Sequence, residues 1–143
     1  MSPSRSILVS RTINATPSRI FDLLADPRQQ VLLDGSGSVS SVKSAPDRLA
    51  LGSTFSMHMK MGLGYVTRNR VVEFEENRRI AWHHFSQFVW RYELEAVEGG
   101  TLVTESFNYD KPWAFAIIAM GFPERNRSGM EGTLVRLEAA VTS

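Results

Sequence analysis

Three side chains in this sequence could move protons or grip the polar end of a bound molecule: Glu105, His84 and Arg70. Glu105 lies in the run TLVTESFNY, where alternation along a strand puts it on one face with Phe107 and Tyr109. A carboxylate among aromatic rings must find a partner, reach water or take up a proton. Glu105 is therefore the first candidate for ligand contact or acid-base work, with His84 second. His83 points to the opposite face from His84, and His58 lies outward with Ser56 and Lys60. Adjacent histidines on a straight strand cannot both ligate one ion, so no metal site is expected. The chain has no cysteine, no G-x-S-x-G and no phosphate-cradling G-x-x-x-x-G-K-[ST], and Gly62-Leu63-Gly64 lacks the third glycine of a dinucleotide loop. No cofactor is expected.

The elements that must position these groups are legible in the pattern. Residues 6–14 read as a β-branched strand. Thr16-Pro17 then caps a short helix whose stripe is Ile20, Phe21, Leu23 and Leu24, and Asp26-Pro27 repeats the device for a second. Strands are predicted at about 38–44, 53–61, 65–75, 79–85, 88–97 and 101–109, joined by Gly62-Leu63-Gly64, Glu76-Asn77-Arg78 and Gly99-Gly100. An apolar segment follows from Trp113. After a break at Gly121-Phe122-Pro123 comes a final helix from about 124 to 141, with Met130, Leu134, Leu137 and Val141 on one stripe.

Turn lengths then assign faces, because a strand's side chains alternate. A two-residue turn at Gly99-Gly100, a three-residue loop 86–88 and a three-residue turn 76–78 predict three rungs on one concave face. They are Phe74, Ile80, Leu94 and Glu105; Val72, Trp82, Tyr92 and Phe107; Arg70, His84, Trp90 and Tyr109. Phe55, Met57, Met59 and Met61 extend the face. On this register the Glu105 and His84 backbones stand on the order of 16 Å apart, too far for a direct dyad. Gly129 and Gly132 in the final helix, each costing about 1 kcal/mol relative to alanine, signal either room for a ligand or close packing.

Composition narrows the classes. At 143 residues, with 43% hydrophobic and 22% charged, one globular domain over 1–143 is expected. Sixteen basic against fifteen acidic residues leave no excess field to attract nucleic acid. The ten-residue run Trp113 to Phe122 is too short for a bilayer, which needs about 20. With no signal-peptide core at the N-terminus, the expected location is the cytoplasm. Monomer and homodimer both stay open.

The order of strand, two short helices, six-strand meander and long C-terminal helix resembles the helix-grip fold of the START-like (SRPBCC) superfamily, in particular its polyketide cyclase/dehydrase and lipid-transport group. The local matches are VSRTINATPSRIFDLL (Val9 to Leu24), Asp26-Pro27, Arg79-Ile80-Ala81-Trp82 and Gly99-Gly100-Thr101-Leu102-Val103-Thr104. The resemblance implies an α+β fold: a seven-stranded curved antiparallel sheet wrapped around the final helix, with a cavity between them that binds hydrophobic small molecules in most members. Catalysis is confined to a minority, and there is no universal catalytic signature to carry over.

The expected function is binding or transport of a small hydrophobic molecule, such as a lipid, polyketide or aromatic metabolite. The expected lining is Met57, Met59, Arg70, Val72, Trp82, Trp90, Tyr92, Phe107, Tyr109, Met130 and Leu134. Two alternatives stand beside it. One is a cyclase or dehydratase using Glu105 or His84 for proton transfer. The other is an interaction module docking through 113–122.

Overall fold

A run of β-branched and alternating residues forms the first strand, β1 (Ser6–Ile13), with Ile7, Val9 and Ile13 turned inward and buried. Its chain then stops on Thr16, whose side-chain oxygen accepts from the Arg19 N–H at 3.3 Å, and Pro17 opens α1 (Pro17–Leu24). Ile20, Phe21 and Leu24 on the apolar stripe are fully buried, each worth roughly 1.5–3 kcal/mol relative to exposure. Asp26-Pro27 does not cap the second helix, whose N-cap is Arg28 with no side-chain cap bond. Asp26 accepts from the Arg28 N–H at 3.0 Å, and α2 (Gln29–Leu33) begins after it.

The remaining strands are β2 (Val39–Ser44), β3 (Thr54–Met61), β4 (Leu63–Glu75), β5 (Arg79–His83), β6 (Val89–Val97) and β7 (Gly100–Asn108). A short 3-10 turn (Pro112–Ala114) precedes the long helix α3 (Phe122–Thr142). The computed structural model describes residues 6–35, 39–61, 63–83, 88–114 and 122–142. His84 and the segment 115–121 lie outside the described residues.

All seven strands join one antiparallel sheet in the order β1-β7-β6-β5-β4-β3-β2. α3 lies against β1 and β7 and buries the predicted stripe of Met130, Leu134, Leu137 and Val141. This is the helix-grip architecture. The convex face carries the charges: Glu73 on β4 bonds Arg91 on β6 across the small Ala81 of β5. The loop before β3 contributes Arg48, which pairs with Glu76 at 2.7 Å and Asp22 at 3.2 Å, its guanidinium standing over Phe21 and Phe74.

The three-residue turn 76–78 forms as predicted, with Glu75 opposite Arg79 and Asn77 taking the left-handed conformation at φ 64°. Elsewhere the register differs from expectation. The β6–β7 turn is Glu98-Gly99, not Gly99-Gly100. Gly100 (φ 138°) already belongs to β7 and packs so tightly on Ile13 that a Cβ there would collide with its carbonyl. Tyr92, not Leu94, therefore stands opposite Glu105. Trp82 likewise faces Trp90, not Tyr92. Each shift is of two residues, so the facing side survives even though the rungs move.

The break in β4 is of another kind. Its register slips between Val71 and Glu73, leaving Val71 opposite Trp82 and Val72 as the extra residue of a bulge. One inserted residue exchanges the two faces. Beyond it Val71, Asn69 and Thr67 turn inward and are buried, while Arg70 pairs with His83 on the outer side and is exposed. Arg70 and Val72 are thus removed from the rungs predicted for them.

Candidate ligand-binding site

Register builds the inner wall. Phe74, Ile80, Tyr92, Glu105 and Val9 form one rung; Val71, Trp82, Trp90, Phe107 and Ile7 form the next. The rings touch in sequence. Phe55 meets Trp82 edge-on at 5.5 Å between centroids, Trp82 lies 5.8 Å from Tyr92, Trp90 4.3 Å from Phe107, and Phe107 stacks on Tyr109 at 5.6 Å. Such pairs each add roughly 0.5–1.5 kcal/mol beyond their buried area. Met57 and Met59 continue the wall on β3, with Met130 and Leu134 of α3 also in or against the core. Trp90, Tyr109 and Met59 are only half-buried.

Glu105 stands in the middle of this wall and is 2% exposed. Tyr92 stands directly across the strand pair, and its hydroxyl is the donor that favours the ionised carboxyl. One oxygen, Oε1, is buried without a hydrogen-bond partner. Burial is the main reason that the carboxyl's pKa rises from 4.5 to about 8; the Tyr92 bond opposes the rise and the negative charge of Asp34 adds to it. Burial, then Glu105, pushes the Tyr92 hydroxyl well above its ordinary value. Glu105 at neutral pH is accordingly a carboxylic acid that can both donate and accept.

Asp34 is set by its own loop. It ends α2, its Oδ2 accepts from the Val39 N–H at 2.9 Å, and its carbonyl accepts from Arg136 of α3 at 2.9 Å. The next residue, Gly35, is pressed onto α3. Its N–H donates to Thr133 Oγ1 at 2.9 Å, a Cβ on it would collide with Gly129, and a Cβ on Gly132 would lie 3.3 Å from its Cα. Gly132 therefore serves close packing on Gly35, which also lies against the Gly129 carbonyl.

Of the site residues expected from sequence, the structure brings Glu105, Met57, Met59, Trp82, Trp90, Tyr92, Phe107, Tyr109, Met130 and Leu134 to the concave side. It does not bring Arg70 or Val72, for the reason of the bulge. His84 falls outside the described residues. Asn69, Thr67 and Asp34 were missed. Asn69 Nδ2 donates to the Phe55 carbonyl and to Thr67 Oγ1, both at 3.4 Å, which supplies an inward polar strip beside Met57. Only the bulge turns these residues inward, and nothing in the local sequence marks it. Among the described residues no three His, Asp or Glu side chains converge on one point, so the wall offers no ligand set for an ion.

A model of the polyketide cyclase / dehydrase and lipid transport family matches residues 4–142. The chain belongs to that family. Among curated proteins it is 36% identical over 138 residues to the uncharacterised protein Rv0088 of Mycobacterium tuberculosis, covering 90% of this chain and 62% of that one. The chain thus spans less than two thirds of that relative's length. Solved structures share the fold of this family member at low identity. Protein CV1439 of Chromobacterium violaceum has a TM-score of 0.75 at 19% identity, covering 96% of this chain and 98% of that chain. Ms6760 of Mycobacterium smegmatis has 0.74 at 19% identity, covering 97% and 92%. An AHSA1-like protein of Aeromonas hydrophila has 0.69 at 17% identity, covering 94% and 93%. No helix among the described residues is long and apolar enough to cross a membrane.

Proposed function

We propose that this chain, acting as one domain over residues 1–143, binds a small and largely apolar molecule between the concave sheet face and α3, with the molecule's polar end at Glu105. The observation that carries this reading is the buried carboxyl with one unmatched oxygen on a wall of aromatic and methionine side chains. A polar group left unpaired in the interior costs about 1–3 kcal/mol, and a ligand's head group would remove that cost. Trp82, Tyr92, Phe107, Met57, Met130 and Leu134 supply the apolar surround, and half-buried Trp90, Tyr109 and Met59 mark the way in. Methionine suits a wall that must adapt to a ligand's shape. Native mass spectrometry of purified protein, with analysis of its organic extract, is expected to reveal a retained apolar compound. Protein that is repeatedly empty and is not stabilised by any apolar compound in a broad panel would overturn the reading.

Proton transfer is a second reading, and the Glu105 pKa of about 8 is what favours it, since that value lets the group give or take a proton near neutral pH. Here Glu105 would be the catalytic acid or base and Tyr92 would position it. Glu105→Gln is then expected to keep ligand binding and abolish turnover; turnover unchanged in that variant would rule the role out.

A further inference from the structure

Three observations bear on the chemistry of the head group. Glu105 Oε1 is buried and unmatched, and Tyr92 stands opposite it across the strand pair. Asp34 lies near enough to act electrostatically on both Glu105 and Tyr92. Among the paired inward positions of the strands the sole cation is Arg11, and its guanidinium is held by Glu138 at 2.8 Å.

An anionic head group would thus enter a buried site with a carboxyl at its centre, a second carboxylate nearby and, among the described residues, no free cation at the paired inward positions of the strands. Removing a carboxylate from water without a counter-charge is among the largest costs a protein interior imposes. A cationic head group would have Glu105 ionise, and the resulting buried ion pair returns about what desolvation takes. A neutral oxygen meets neither difficulty. The acid form carries one O–H donor, and Oε1 is the oxygen with no partner in the fold.

Building on the binding reading above, we infer that Glu105 holds a neutral hydrogen-bond acceptor, a carbonyl or hydroxyl oxygen on an apolar body, and that the site rejects the corresponding carboxylate. The other groups around Glu105 fit this assignment. Tyr92 on β6 and Asp34 after α2 are the titratable neighbours; β1 presents Val9 opposite it, and α3 turns Met130, Thr133 and Leu134 inward, none of which titrates.

The test is displacement of the neutral fluorophore N-phenyl-1-naphthylamine from the full chain by four compounds sharing one apolar body: 2-ethylnaphthalene, 2-acetylnaphthalene, 2-(aminomethyl)naphthalene and 2-naphthoate. At pH 6.5 the ketone is expected to bind about tenfold more tightly than the hydrocarbon, the gain of one satisfied buried hydrogen bond. The naphthoate is expected to bind at least about tenfold more weakly than the hydrocarbon. The ketone's advantage is expected to shrink at pH 9, where Glu105 has ionised. In Glu105→Gln, whose amide still donates, the ketone preference persists and no longer varies with pH; in Glu105→Met it disappears. Naphthoate or amine binding more tightly than the ketone, or ketone equal to hydrocarbon in the wild type, overturns the head-group assignment while the binding reading stands. Failure of the fluorophore and of all four compounds to bind overturns both.

Discussion

Replacing Glu105 by glutamine tests the buried carboxyl directly, through stability and without any ligand. With its pKa raised from 4.5 to about 8, the carboxyl keeps its proton in the folded chain over a pH range where the unfolded chain has lost it. The contribution of this group is fully present below pH 4.5 and is lost as pH rises toward 8, the reverse of a salt-bridged carboxylate. At about 1.4 kcal/mol per pH unit within that window, the folded state gives up about 2 kcal/mol between pH 6 and pH 8. Glutamine keeps the shape and the acceptor for Tyr92 but cannot ionise. Urea unfolding of both proteins at pH 6, 7 and 8 should therefore show midpoints that diverge as pH rises, with the variant gaining roughly 1–2 M over the wild type. Parallel midpoints across this range would mean that Glu105 is ionised at no cost when folded, and the head-group argument would fall with its premise.

Other substitutions probe the scaffold that sets the site. Gly35→Ala forces a methyl into the backbone of α3 at Gly129 and Thr133, and should cost about 2 kcal/mol or more in urea unfolding; a neutral result would show that the α2–α3 contact is loose. Thr133→Val preserves the shape but strips the acceptor from the Gly35 N–H. A loss of about 1–3 kcal/mol is expected, read as a lower melting temperature. Thr16→Ala removes the α1 cap and should cost about 1 kcal/mol, with no change in displacement of the fluorophore, since Thr16 is exposed and is not one of the wall residues.

Local chemistry was enough to read most of the elements. Thr16-Pro17 marks the start of α1 whatever surrounds it, because a hydroxyl cap and a proline at the first helical position act within four residues. The stripe from Met130 to Val141 identifies the buried side of α3 by period alone. The facing side of Glu105, Tyr92, Trp82 and Phe107 was also legible, since the pairing register on either side differs from expectation by two residues and a strand repeats every two. Their partners across the sheet were not. Pairing Glu105 with Tyr92 depends on where the chain turns at Glu98-Gly99, and that is decided by Gly100 packing against Ile13, a contact between residues 87 positions apart.

Arg70, Asn69 and Thr67 lay beyond reach for a related reason. A bulge at Val72 exchanges the faces of β4, and a bulge is a property of two paired strands with no signature in either one. Likewise Gly129 and Gly132 announced an anomaly in α3 that only the position of Gly35 could explain. The sequence by itself determined which residues are apolar, which are capped and which share a face, because those follow from interactions within a few residues. Tertiary structure decided that the carboxyl on the apolar face would be wholly buried, set across from one tyrosine and left with one oxygen unmatched, because burial and pairing are set by what the rest of the chain brings up against it.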